Sequence, residues 1–198
     1  MGMEPSDFVA SSTIAAVVSD PRQPDNPIVY CNDAFVALTG FAREEILGRN
    51  CRFLTGPGTE PELTEALREG IRRRQPVMVE ILNYRKSGEP FRNAVMVAPV
   101  FDDRGEVEYF IGSQVEIAGE APQTADARRS AAAGLVEALS PRQREVLIEL
   151  ARGRLNKQIA HDLHLTERTV KMHRAALFRS LGVSTVADAI RIAVEAGH

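Results

Sequence analysis

The pattern of apolar and polar residues changes once along this chain. Up to about Ile117 it comes in short β-like runs, NPIVYCN, VMVEILNYRK, PFRNAVMVAPVF and VEYFIGSQVEI, separated by turn sequences such as KSGEP and DDRGE. These runs predict antiparallel strands, with short helical pieces between the first strands and the last three. Beyond Ile117 every readable segment has helical spacing. AGEAPQT reads as a linker, ADARRSAAAGLVEAL as an Ala-rich helix, and Ser140 opens a compact helical block. The expected units are residues 1–118, a linker helix over 119–138 and a helical domain over 139–198.

Two faces of the predicted sheet differ in character. Asn83 and Asn93 stand at equal distances from Gly88. A hairpin turning there sets them opposite each other and on one face, together with Val79, Ile81, Phe91, Val95 and Val97. Two amides among aliphatics on a concave sheet suit a flat heterocycle with a polar edge; turn capping or mutual pairing is the alternative that spacing leaves open. The other face carries Met78, Leu82, Tyr84, Met96, Ala98, Tyr109, Ile111 and Val115, too apolar for a solvated face. It predicts a cover: another subunit, the Ala-rich helix or the helical block.

In the helical block, LSPRQREVLIELARG has Ser140 as N-cap, Pro141 at the first helical position and Gln143 three residues after the cap, which is a capping box. Gly153 stops that helix. NKQIAHDLHL is a short second helix with Ile159, Ala160 and Leu163 inward. TERTVKMHRAALFRSLG follows, capped by Thr166, with Val170, Leu177 and Leu181 inward and Arg168, Lys171, Arg174 and Ala175 outward. This is a helix-turn-helix layout that offers a basic face to a major groove. The last helix, from Ser184 to Ala196, carries two apolar stripes. Val186, Ile190 and Ala193 suit its own core, whereas Ala189, Ile192 and Ala196 exceed what one small domain buries.

Composition narrows the picture further. The 198 residues are 44% hydrophobic and 26% charged, ordinary for a globular protein. No apolar run approaches the roughly 20 residues that span a bilayer, and the first residues lack a basic signal-peptide region, so a cytoplasmic protein is expected. Residues 1–118 hold 12 basic and 18 acidic residues, whereas residues 119–198 hold 12 and 9, so the positive half is the one suited to a polyanion. Six basic residues between Arg154 and Arg179 face only two acids, Asp162 and Glu167. Two cysteines, Cys31 and Cys51, are too few for a disulfide framework, and the four histidines lie far along the chain from both, so no metal site is expected. Cys51 sits in GRNCRFLTGPG, between Asn50 and Arg52, unlike a structural cysteine among apolar neighbours.

The stretches DPRQPDNPIVYCNDAFVALTGF, GRNCRFLTGPGTEP, NYRKSGEPFRN and FIGSQVEI, in that order, resemble LOV domains, the flavin-binding blue-light sensors within the PAS fold. The resemblance covers residues 13–118 and implies an α+β fold: a five-stranded antiparallel sheet with helices, holding FMN. By it, Cys51 is the photoreactive thiol that adds to the flavin, Asn50 contacts the flavin side chain, and Arg52 and Arg68 hold the phosphate, a task suited to the planar guanidinium fork. Asn83 and Asn93 bond the ring edge, Gln114 answers its protonation change, and Leu54 and Phe91 complete the cofactor set. Thr55 departs from the plant members, which have glutamine there. Cys31 reads as a core thiol.

The segments LSPRQREVL, NKQIAHDLHLTERTVKMH and TVADAIRIAVEAG resemble the LuxR-type DNA-binding domain, a four-helix, all-α helix-turn-helix unit, over 139–197. The resemblance makes Asn156, Lys157, Thr166, Thr169 and Arg174 phosphate contacts, Lys171 and its neighbour Arg168 base-edge candidates, and the final helix a dimer contact through Ala189, Ile192 and Ala196. Phosphate contacts set affinity and base contacts set sequence choice.

Together these readings give a non-enzymatic, blue-light-regulated transcription factor, since neither a kinase segment nor a dinucleotide fingerprint is present. Its expected partners are promoter DNA, RNA polymerase and a second copy of itself, with the sheet's outer face covering the last helix in a dark monomer. The alternative is a PAS-type regulator that senses redox state or a small ligand.

Overall fold

In a computed structural model that describes residues 4–117 and 123–198, the first half is a five-stranded antiparallel sheet. The strands are β1 (Ala15–Ser19), β2 (Ile28–Cys31), β3 (Val77–Tyr84), β4 (Pro90–Phe101) and β5 (Val107–Glu116), in the spatial order β2-β1-β5-β4-β3. Between β2 and β3 lie α1 (Asp33–Thr39), α2 (Arg43–Ile46), a 3-10 turn over Cys51–Leu54, and α3 (Pro61–Arg73). The rest is helical: α4 (Gln123–Glu137), α5 (Pro141–Ala151), α6 (Asn156–Asp162), α7 (Glu167–Leu181) and α8 (Val186–Glu195). Most of the predicted linker AGEAPQT falls outside the described residues.

The caps form as their chemistry requires. Ser140 accepts from the Gln143 amide while Gln143 reaches back to the Ser140 amide, and Thr166 accepts from the Thr169 amide at the start of α7. The hairpin β3–β4 does not turn about Gly88. Its register pairs Asn83 with Phe91 and Ile81 with Asn93, so the centre is Ser87. The loop Lys86-Ser87-Gly88 needs a left-handed residue at its third position, which Gly88 supplies at φ 85°. The two asparagines are therefore offset by two residues rather than opposite, and the even offset keeps them on one face.

Each face of the sheet has its own cover. Val79, Ile81 and Val95 pack beneath Leu63, Ala66 and Leu67 of α3, and Val17 and Ala15 pack with Ile28, Phe35, Ile46 and Leu54. The opposite face, with Met96, Ala98, Val100, Ile111, Ala16 and Val18, joins one core with α4, α5, α7 and α8. The helical block is thus the cover that the apolar outer face predicted. Leu82 and Tyr84 are the exception. The loop at Gly56–Thr59 wraps over them: the Gly58 amide donates to the Tyr84 hydroxyl (2.9 Å), and a Cβ on Gly56 would stand 2.3 Å from the Tyr84 ring.

Candidate functional site

Under α3 and the 3-10 turn the concave face encloses a cavity of about 180 Å³. Val17, Ile28, Leu54, Ile81, Val95 and Val97 form apolar walls, and Asn50, Cys51, Arg52, Thr55, Arg68, Asn83 and Gln114 also line it. The turn that carries Cys51 is capped by Asn50, whose Oδ1 accepts from the Arg52 amide at 3.1 Å. Cys51 is half-buried, and its open side looks into the cavity. Burial pushes its thiol up to about 11, against a smaller opposing effect from the Gln114 amide, so Sγ keeps its proton at neutral pH.

An amide chain runs from this thiol across the sheet. Gln114 Nε2 donates to Cys51 Sγ (3.6 Å), and Asn93 Nδ2 donates to both Gln114 Oε1 and Asn83 Oδ1 (2.9 Å each). Asn93 does not itself line the cavity; it bridges the two amides that do. Its own Oδ1 is buried with no partner among the described residues. The Asn83 and Gln114 amides among apolar walls, with two guanidinium groups also in the lining, fit a flat ring with a polar edge and a side chain ending in phosphate, as in FMN.

One expected cofactor residue falls outside the cavity here, and another has a carboxylate partner. Phe91 lies outside the cavity: the register places it across from Asn83 at the end of the hairpin, where the Arg85 guanidinium covers its ring at 4.5 Å. Arg52 is forked by Asp25 at 2.6 and 2.8 Å, and Asn50 Nδ2 donates to the Asp25 carbonyl at 2.7 Å. Arg68 reaches the cavity wall and is otherwise loosely paired with Glu65 (3.4 Å). Asp25 and Asn26, both in the left-handed region (φ 71° and 48°), were missed; the signal was the turn-forming PDNP.

In the helix-turn-helix, Arg168 and Lys171 are exposed on α7, and Thr166 and Thr169 share a hydroxyl hydrogen bond of 2.8 Å. Arg174 does not face outward as its spacing suggested. Its Nη1 donates to Asn156 Oδ1 (2.5 Å), it stacks over Phe178, and burial lowers its pKa. Lys157 pairs with Asp103 of the β4–β5 turn (3.5 Å), and Gln158 donates to the Asp102 carbonyl (2.8 Å). Part of the expected DNA-contact set is therefore engaged by the sheet domain or by itself.

Helix α8 lies on the outer face of the sheet. Ala189 is fully buried; Ile192 and Ala196 are half-buried against the same core. The residue that the apolar pattern hid is Arg191, 3% exposed. Its Nη1 donates to the carbonyls of Ala94 and Ser113 (3.2 Å each) and to Ser113 Oγ (3.1 Å), and its Nε to Glu195 (3.0 Å). Nη2 is buried with no partner among the described residues, and burial lowers the pKa of the group. Ala94 follows Asn93 and Ser113 precedes Gln114, so Arg191 grips the reverse side of the amide chain. At the head of α8, Ser12 Oγ donates to Asp188 Oδ1 at 2.5 Å.

Comparison with known proteins adds two family matches: residues 15–118 match the PAS domain family, and residues 137–193 match bacterial regulatory proteins of the luxR family. Blue-light-activated histidine kinase 1 of Erythrobacter litoralis is 56% identical over 104 residues, which is 52% of this chain and 29% of the relative. Phototropin-2 of Oryza sativa subsp. japonica is 49% identical over 100 residues, 50% of this chain and 11% of that protein. This chain thus spans less than a third of these relatives, all within the sheet domain. Among solved structures, a LOV domain from a blue-light-activated histidine kinase of Erythrobacter litoralis is 39% identical with a TM-score of 0.52, covering 54% of this chain and 97% of that one. The light-state structure of the blue-light photoreceptor Aureochrome1 LOV is 40% identical with a TM-score of 0.52, covering 52% and 81%.

Proposed function

Because the chain belongs to the PAS-domain family over residues 15–118, where its relatives are LOV blue-light proteins, and carries a luxR-family regulatory domain over residues 137–193, we propose that it is a transcription factor whose DNA binding is switched by blue light. The single observation that supports the switch is the grip of Arg191 on Ala94 and Ser113, the chain neighbours of Asn93 and Gln114. It joins the cavity wall to the helix proposed for dimerisation through one strand's thickness.

Arg52 and Arg68 would hold the phosphate of FMN, Asn83 and Asn93 its ring edge, and Cys51 would stand beside the ring. The flavin, when bound, supplies blue-light absorption and a ring carbon able to accept a thiol. Cys51 brings to this a protonated Sγ, so a proton as well as sulfur must leave its resting place. Gln114 is the residue able to register the change. Rotating its amide would set its NH₂ against the Asn93 NH₂, a donor facing a donor, and the network would have to give. β4 and β5 carry that strain to the carbonyls beneath Arg191. The buried guanidinium is incompletely paired, which makes the contact costly and easily released.

Release would uncover Ala189, Ile192 and Ala196 for a second copy, free Lys157 from Asp103, and let two recognition helices meet two half-sites. The kinase name of the relative does not carry over, because the match spans 104 residues and only 29% of that protein; a non-catalytic regulator is the reading that the luxR-family segment favours. Among the described residues no helix is long and apolar enough to cross a membrane, and the cytoplasm is the compartment this function needs.

The test is size-exclusion chromatography and DNA affinity of the flavin-loaded chain, in darkness and under blue light, with a duplex selected from a random pool. A dark monomer that dimerises and binds DNA more tightly in light is expected, and Cys51→Ala should keep the flavin but lose the response. Equal elution and equal affinity in both conditions overturn the proposal.

A further inference from the structure

A second cleft, of about 730 Å³, lies where the sheet domain and the helical block meet. It shares no lining residue with the cavity beneath α3. The sheet domain contributes Arg74, Gln75 and Phe101, and the helical block contributes Ile148, Arg152 and Arg154. Gly153 fixes how the two sides meet. Its carbonyl accepts from the Phe101 amide at 3.1 Å, and a Cβ on it would stand 2.8 Å from the Phe101 ring. Its chain neighbours Arg152 and Arg154 are thereby set against the sheet domain. The volume falls within the range of roughly 300–1,000 Å³ that small-molecule sites occupy.

Three arginines line this cleft, and among the described residues its lining holds no acidic side chain. Arg74 pairs with Glu106 at 3.1 Å and Arg152 with Glu149 at 2.6 Å, both through exposed guanidinium groups that such pairs hold weakly. Arg154 forms no ion pair among the described residues. Arg74 is also held in the left-handed region, at φ 56°, where its amide closes α3 on the Ile71 carbonyl at 3.1 Å. Glycine or asparagine suits that position better, so the guanidinium is kept there at a cost to the backbone. Guanidinium forks with little else to bind are suited to phosphate oxygens. The floor has a different character: Phe101, Ile148 and Pro76 are half-buried and apolar. An aromatic ring among aliphatic groups is suited to a flat heterocycle.

We propose that this cleft binds a nucleoside polyphosphate, with its base against Phe101 and Ile148 and its phosphates on Arg74, Arg152 and Arg154. A small ligand is favoured over duplex DNA because α7 contributes nothing to the cleft and half of the lining belongs to the sheet domain. The bound nucleotide touches both sides of the junction. It therefore favours the docked arrangement, and by linkage the released form binds it more weakly. In that last respect the inference rests on the light-driven release proposed above; binding in darkness does not.

The test titrates the full chain in darkness with ATP, GTP and inorganic triphosphate by isothermal calorimetry, with thermal melting as a second readout. At least one nucleotide should bind, and triphosphate, which lacks a base, should bind about tenfold more weakly. Arg74→Gly removes a guanidinium and relaxes the left-handed backbone. It should weaken the nucleotide about tenfold, the worth of one charge-assisted hydrogen bond, without lowering the melting temperature or the affinity for a DNA duplex. Arg154→Ala should weaken the nucleotide similarly. No nucleotide binding, triphosphate binding as tight as the nucleotide's, or full nucleotide affinity in Arg74→Gly would overturn the site. A duplex loss in Arg74→Gly as large as the nucleotide loss would overturn it in favour of DNA. Blue light should weaken the nucleotide in the unsubstituted chain. Affinity unchanged by light, in a chain whose elution does change, would overturn the preference for the docked form; unchanged elution would overturn the light switch instead.

Discussion

At the scale of single residues, chemistry depends on what surrounds a group more than on its identity. Cys51 is a thiol with a proton firmly held, because the cavity denies its anion a solvent shell. Its reactivity in the dark should therefore be low. Mass-spectrometric alkylation of the flavin-free chain at pH 8 should label Cys51 about a hundredfold more slowly than an ordinary thiol, since thiolate is the nucleophile and the raised pKa removes two decades of it. The sign for stability follows. The folded pKa lies above the unfolded one, so the thiol's contribution is complete below about pH 9 and is lost as pH rises through about 11. Labelling at the free-thiol rate near pH 8 would show that Cys51 meets water. Much of the cavity set was legible at this scale because Asn50, Cys51 and Arg52 are sequence neighbours on one turn. Asp25 and Asn26 were not, because a PDNP turn announces a bend and says nothing of where its side chains aim.

Elements add register and close approach. The strands β3 and β4 were readable from alternation, yet the hairpin centre moved from Gly88 to Ser87, because the glycine serves the last loop position rather than the apex. One residue of movement left both asparagines on one face of the sheet and set Phe91 across from Asn83 rather than from Arg85. Gly153 illustrates the second point. It was read as a helix stop, and it is one at φ 78°, but its carbonyl also accepts from the Phe101 amide at 3.1 Å, and a Cβ there would stand 2.5 Å from the Pro99 carbonyl oxygen. Gly182 has a similar φ of 68° with open space around its missing Cβ. Gly182→Ala should cost about 1 kcal/mol, the left-handed penalty alone. Gly153→Ala should cost about 2–3 kcal/mol, because steric conflict with β4 adds to that penalty. Chemical denaturation of both variants separates the two contributions. Equal losses would mean that α5 does not rest on the sheet as described.

The whole molecule is held in one arrangement by contacts that no local pattern announces. The two stripes of α8 predicted a partner, and the outer sheet face predicted a cover; each is the other's answer. The polar contacts that pin them were hidden. Arg191 reads as an incidental charge in an apolar helix, and Ser12 lies 176 residues from the Asp188 it bonds. Neither separation nor burial can be read from spacing along the chain. These contacts are the ones that the proposed switch must break, with light at the cavity freeing α8 from β4 and β5. Hydrogen exchange of the flavin-loaded chain, in darkness and under blue light, tests that release. The amides of Val186–Glu195 should be protected in the dark and should lose protection in light, with recovery in darkness. Protection of α8 that is the same in both conditions would contradict it.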